Sequence, residues 1–177
     1  MLRLKIIVLT TLFALVSFTS NAYADEMFEV HGNAGIAHIM PDGGEGNTGF
    51  GIDLTVGFPV GAGLVPEVLA GILVNSLGDG WSYNNVLLMG GVRFDVPLDL
   101  VIQPYVYAHA GLCSLSISYE DFYESESSNE FGVNLGAGVR YAVSDTLGVG
   151  IGGGPLMVFG ETTTTYIRGG VSALFKL

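Results

Sequence analysis

The stretch Phe131-Gly132-Val133-Asn134-Leu135-Gly136-Ala137-Gly138-Val139-Arg140-Tyr141 decides how this chain is read. Each odd-numbered residue is apolar or aromatic, and each even-numbered one is glycine, Asn134 or Arg140. Side chains alternate between two faces along a β-strand, so a period of two marks an amphipathic strand, whereas a helix would repeat its apolar residues every three or four positions. The second face is unusual. A wet sheet surface would be clothed in Lys, Glu, Thr and Gln, but here it is mostly bare glycine.

The same pattern recurs in other segments. Phe50, Ile52, Leu54, Val56 and Phe58 alternate with Gly49, Gly51, Asp53, Thr55 and Gly57, and Ile167, Gly169, Val171, Ala173, Phe175 and Leu177 with Tyr166, Arg168, Gly170, Ser172 and Lys176. Segments 27–40, 64–76, 85–96, 101–118 and 146–159 read in the same manner, which brings the number of predicted strands to eight. Composition says where the apolar faces go. The chain is 49% hydrophobic and only 13% charged, with 27 glycines, whereas a soluble domain has about a quarter of its residues charged. Something other than water covers much of this surface. No stretch after the N-terminal segment is long and apolar enough for a membrane helix, so entry into a bilayer requires a closed barrel, which pairs every backbone polar group.

The first residues point to export. Arg3 and Lys5 precede an apolar run from Ile6 to Phe18 and then Ala22-Tyr23-Ala24, an A-x-A cleavage pattern. Residues 1–24 are therefore expected to be a cleaved signal peptide, and residues 25–177 a single barrel domain. Cleavage would remove two of the six cations and no acid, taking the net charge from −11 to −13. Nucleic acid is excluded as a partner, because phosphate binding needs clustered Lys and Arg. Cys113 stands alone, so no internal disulfide forms. The run Gly148-Val149-Gly150-Ile151-Gly152-Gly153 matches G-x-G-x-x-G by letter only, since its glycines recur within a strand and no helix opens from them. No cofactor is expected.

Connections alternate in character. Those at Pro59–Gly63, Pro97–Asp99 and Ser144–Thr146 are short with turn chemistry, and are expected to face the periplasm. Those near 41–48, 77–84, 119–130 and 160–164 are mostly longer and acidic, as cell-surface loops of such barrels are. The segment from Glu120 to Glu130 is the most acidic, with Glu120, Asp121, Glu124, Glu126 and Glu130 in eleven residues. A solvated loop, divalent-cation bridges to lipopolysaccharide, and a contact with a basic surface are the three readings of it. It lacks the spacing and central glycine of an EF-hand. Aromatic residues such as Phe50, Phe58, Phe94, Phe131, Tyr141, Phe159 and Phe175 fall near strand ends, where headgroup-level girdles belong.

Sorting by face sends Glu29, His31, Asp53, Glu67, Arg93, Asp95, Gln103, His109, Arg140, Arg168 and Lys176 toward the lumen. A charge placed there must be paired, so Arg93, Arg140 and Arg168 are expected to be braced by carboxylates such as Glu29, Asp53 and Glu67. That network would fill the narrow bore of an eight-stranded barrel.

Taken together, the export signal, the strand Gln103-Pro104-Tyr105-Val106-Tyr107-Ala108-His109-Ala110-Gly111, the strand from Phe131 to Tyr141 and the closing strand resemble the small outer-membrane β-barrel proteins, the group that holds the OmpA transmembrane domain, OmpX, Ail and the opacity proteins. The resemblance implies an all-β, eight-stranded antiparallel up-and-down transmembrane barrel in the bacterial outer membrane, folded by the barrel-assembly machinery and surrounded by outer-membrane lipid and lipopolysaccharide. Its implied role is structural or one of surface interaction. Three other readings are weighed against it. A narrow ion channel would use the ionic lumen. A lipid A-modifying enzyme would need a Ser–His pair, yet His109 and Ser114 have opposite parity, and His38 sits near a strand end on the apolar parity. A soluble lipocalin-type barrel would need a polar outer face, which the glycine-rich second face and four remaining cations do not supply.

Overall fold

In the computed structural model, which describes residues 28–40, 46–78, 81–98, 100–119 and 122–177, the described chain is all strand and turn. The strands are β1 (Glu29–Met40), β2 (Asn47–Gly57), β3 (Leu64–Gly78), β4 (Trp81–Asp95), β5 (Ile102–Tyr119), β6 (Phe122–Ala142), β7 (Leu147–Phe159) and β8 (Thr163–Lys176). Each pairs antiparallel with its sequence neighbour, and β1 pairs with β8 from Glu29↔Lys176 to Met40↔Thr165. The result is a closed eight-stranded barrel. Closure removes the free edges that an open sheet would leave unpaired.

The deciding alternation holds in space. Along β6, Phe131, Leu135, Val139 and Tyr141 are exposed on the outer wall, whereas Gly132, Asn134 and Arg140 are buried inside. Ile52, Ile151 and Val171 are each more than half exposed at mid-wall. This apolar wall is the lipid-facing surface. Ten residue steps separate Phe131 from Tyr141, and at about 3.3 Å per residue and a tilt near 40° they rise about 25 Å, the height of an outer-membrane apolar band. Phe131 and Phe159 stack at the upper rim, with centroids 6.4 Å apart.

The short turns lie at the lower end, where the first and last described residues also meet; Leu177 N donates to Phe28 O at 3.0 Å. After β2, three successive residues take positive φ: Gly61 at 92°, Ala62 at 52° and Gly63 at 79°. A side chain on Gly63 would meet Asp95 O at 2.1 Å, so both the backbone conformation and the space demand glycine there. In β7, the β6 ladder has no pairs between Asn134↔Leu156 and Ala137↔Gly153, beside Pro155, which has no N–H to donate.

At the upper end the structure corrects the sequence reading. Residues expected to be links become strand: β3 runs to Gly78 and β4 starts at Trp81, while β5 runs to Tyr119 and β6 starts at Phe122. Glu124, Glu126 and Glu130 therefore lie on β6 and not in a loop, with Glu126 opposite Ile117 and Glu130 opposite Cys113. Backbone pairing continues above the apolar band, where the polar outer segment has no two-residue apolar period to reveal it. Glu120, Asp121 and the expected signal peptide lie outside the described residues.

Candidate functional site

The lumen is where the chemistry gathers, and it is divided into zones. Nearest the turns, Arg93 is a buried hub. Its Nη1 donates to Glu67 Oε1 at 2.6 Å, its Nε to Asp95 Oδ1 at 2.8 Å, and its Nη2 to Glu29 and to Asp95 Oδ2, the last at 3.2 Å. One guanidinium thus ties carboxylates from β1, β3 and β4 together, using the planar fork that Lys lacks. Arg140 Nη2 donates to Asp95 Oδ2 at 2.9 Å and to Gln103 Oε1 at 3.4 Å. Higher up, Arg168 pairs with Asp53, whose Oδ1 also accepts from Asn33 Nδ2 at 2.8 Å. The second oxygen of Glu67 faces His109 Nε2 at 2.9 Å.

Glu29, Asp53, Glu67, Arg93, Arg140 and Arg168 all point inward and form ion pairs. Asp95 joins them as the carboxylate that holds Arg140. Asp95 ends β4 and Arg140 stands near the end of β6, so both reach the same mouth of the barrel.

The middle is aromatic. Tyr105, Tyr107 and His109 follow one another on the inner face of β5, with centroids 6.3 and 5.3 Å apart, and His31 meets Tyr105 edge-on at 5.9 Å. Glycines of β6 and β7 make the space for them. An added Cβ at Gly136 would lie 2.3 Å from the Tyr107 hydroxyl, and one at Gly138 or Gly152 about as close to that of Tyr105. Gly152 belongs to the false dinucleotide motif, and its bareness serves a neighbouring ring.

Toward the hairpin end the interior turns apolar, which sequence reasoning missed. Ala37, Ile39, Leu69, Leu73, Leu87, Met89, Cys113, Leu156, Val158 and Tyr166 form one buried cluster. Two buried asparagines reach it through their amide nitrogens: Asn85 Nδ2 donates to Tyr166 Oη at 2.7 Å, and Asn75 Nδ2 to Ala37 O at 2.8 Å, while the Oδ1 of each has no partner. The signal was present but masked. At residues 72–74 of β3, 86–89 of β4 and 156–159 of β7 both parities are apolar, so alternation cannot say which residues enter the lumen.

Among the described residues, the histidines and serines singled out in the sequence are held apart. His109 faces inward and is engaged by Glu67, while Ser114 and Ser116 lie on the opposite parity of β5. His38 hydrogen-bonds through Nδ1 to Thr48 Oγ1 at 2.8 Å, near the hairpin end.

Fold and lumen together define a small bacterial transmembrane β-barrel with an apolar outer wall and a side-chain-bearing interior. The chain belongs to the outer membrane protein beta-barrel domain family, whose model matches residues 10–173, and it is an outer-membrane protein. Its fold is shared by the surface protein NspA of Neisseria, at 16% identity and a TM-score of 0.70 over 85% of this chain and 97% of that one. Ail of Yersinia pestis, the attachment invasion locus protein, superposes with a TM-score of 0.60 at 11% identity over 87% and 100%. The N-terminal barrel domain of Pseudomonas aeruginosa OprF does so at 0.53 and 12%, over 86% and 98%. No curated protein matches the sequence.

Proposed function

We propose that this barrel is closed to ions and acts as an anchor and display scaffold, with its apolar wall held in lipid and its acidic outer segment presented at the cell surface. The supporting observation is the apolar layer across the outer half of the lumen. Leu73 and Leu156 there are 0% exposed, and Leu87 is 1% exposed. An ion crossing that layer would shed its hydration shell with nothing to replace it. Beneath the layer, the Arg93 network ties β1, β3 and β4 together at the inner mouth.

On this reading the protein carries out no catalysis. The carboxylates of Glu120, Asp121, Glu124, Glu126 and Glu130 meet the surroundings, through divalent cations shared with lipopolysaccharide or by contact with a basic surface. The deciding experiment is planar-bilayer recording from the purified protein. A closed barrel gives no current above the bare membrane, and discrete, reproducible steps would overturn the proposal. A narrow channel is the second reading, favoured by the polar inner half, and the same recording decides it. Mass spectrometry of lipid A from cells with and without the protein tests the absence of enzymatic activity.

A further inference from the structure

Between the ion-paired zone and the apolar layer lies a cavity of about 50 Å³. His31, His109 and Asn134 line it, and each buries a polar atom that has no partner: His31 Nε2, His109 Nδ1 and Asn134 Oδ1. All three residues are more than nine-tenths buried. His109 Nε2 faces a carboxylate oxygen of Glu67 at 2.9 Å, which leaves Nδ1 as the ring's polar atom without a partner. Asn134 stands directly across from His109 in the β5–β6 register, on the same inner face, and its Oδ1 is a bare acceptor. Buried polar atoms are satisfied by protein groups or by ordered water. Water both donates and accepts, and at about 10–15 Å³ each the cavity has room for about three.

The two ends of this cavity differ in chemistry. Toward the hairpins Leu69 lines it, and Leu69 belongs to the buried apolar cluster of Leu73, Leu87, Cys113 and Leu156. Toward the turns its lining is polar, Arg93 and Glu67, and beyond them the Asp95 side chain is 20% exposed. We propose that the lumen contains a bound-water site built by His31, His109 and Asn134, which exchanges with the turn-side compartment and is sealed from the hairpin side. The sealing half of this inference rests on the closed-barrel reading above.

The test is solution NMR of the intact barrel in lipid nanodiscs. Long-lived water should give cross-relaxation peaks to the His109 ring and the Asn134 amide, and the His109 peak should be lost in Asn134→Leu. Absence of such peaks in the unmodified protein overturns the water site. Sidedness is read with silver ions on Asn134→Cys in a Cys113→Ser background, in vesicles of known orientation. Reaction from the turn side alone is expected, and equal reaction from both sides overturns the seal. Conductance of the same preparation separates the two proposals. Current with water peaks present defeats only the closed barrel, and missing peaks in a silent barrel defeat only this inference.

Discussion

Replacing Arg93 by Met isolates the largest single consequence of the interior arrangement. Met preserves much of the side-chain length and fills apolar space, but it removes every donor. Glu29, Glu67 and Asp95 then keep their places on β1, β3 and β4 and lose the one cation that joins them. Charge-assisted hydrogen bonds are each worth about 1.5–3 kcal/mol, and Arg93 makes four of them, but such values do not add, because part of each offsets the cost of burying the group. Breaking a buried pair by deleting one partner costs about 3–5 kcal/mol. With three carboxylates left facing one another, the upper end of that range is expected. The assay is equilibrium urea unfolding from lipid vesicles, followed by the fluorescence of Trp81, the chain's one tryptophan. Heat-modifiable gel mobility serves as a check that the variant reached the folded barrel. Adding Glu29→Gln and Glu67→Gln to Arg93→Met should restore most of the loss, since Asp95 keeps its ion pair with Arg140 and three neutral groups replace two carboxylates that lost their arginine. A cost below about 1 kcal/mol for Arg93→Met, or no recovery in the combined variant, would refute the view that paired burial holds this end together.

Other consequences follow from the same geometry. Gly136→Val should destabilise the barrel by about 1–3 kcal/mol through a clash with the Tyr107 ring, and pairing it with Tyr107→Ala should recover part of the loss in the same urea assay. Val171→Arg, on the outer wall at mid-height, should cost about 2–4 kcal/mol, whereas the same change in a soluble barrel would be nearly neutral. Cys113 is 0% exposed, so a maleimide should leave it unmodified in the folded protein and label it fully after boiling in SDS. Labelling of the native barrel would show that the apolar layer opens.

How much of this was legible beforehand depended on which physical signal each element carried. β2, β6 from Phe131 onward and β8 lie between lipid on one side and a crowded lumen on the other, and two such different environments impose a period of two on the residues. Their faces were therefore readable one residue at a time. The ionic residues were assigned to the lumen by the same parity, but their partners were not. Which arginine meets which carboxylate depends on strands that are distant in sequence but meet across the bore, so parity alone left the partner of Arg140 open. The acidic segment was read as a loop because its outer part, on β6, is rich in Ser, Glu and Asn. Alternation vanishes where both faces are wet, although the backbone goes on pairing.

The sequence by itself determined the class of protein, its eight crossings and the inward course of its few charges, because a bilayer leaves no alternative to a closed sheet and no cheap place for an unpaired ion. Only the tertiary structure decided how the interior is divided. Closure of the barrel brings Leu73, Leu87 and Leu156 into one layer from three strands and sets the Arg93 hub at the other end. Local periodicity is silent about contacts across a lumen, because those contacts are fixed by register and shear around the whole circle of strands.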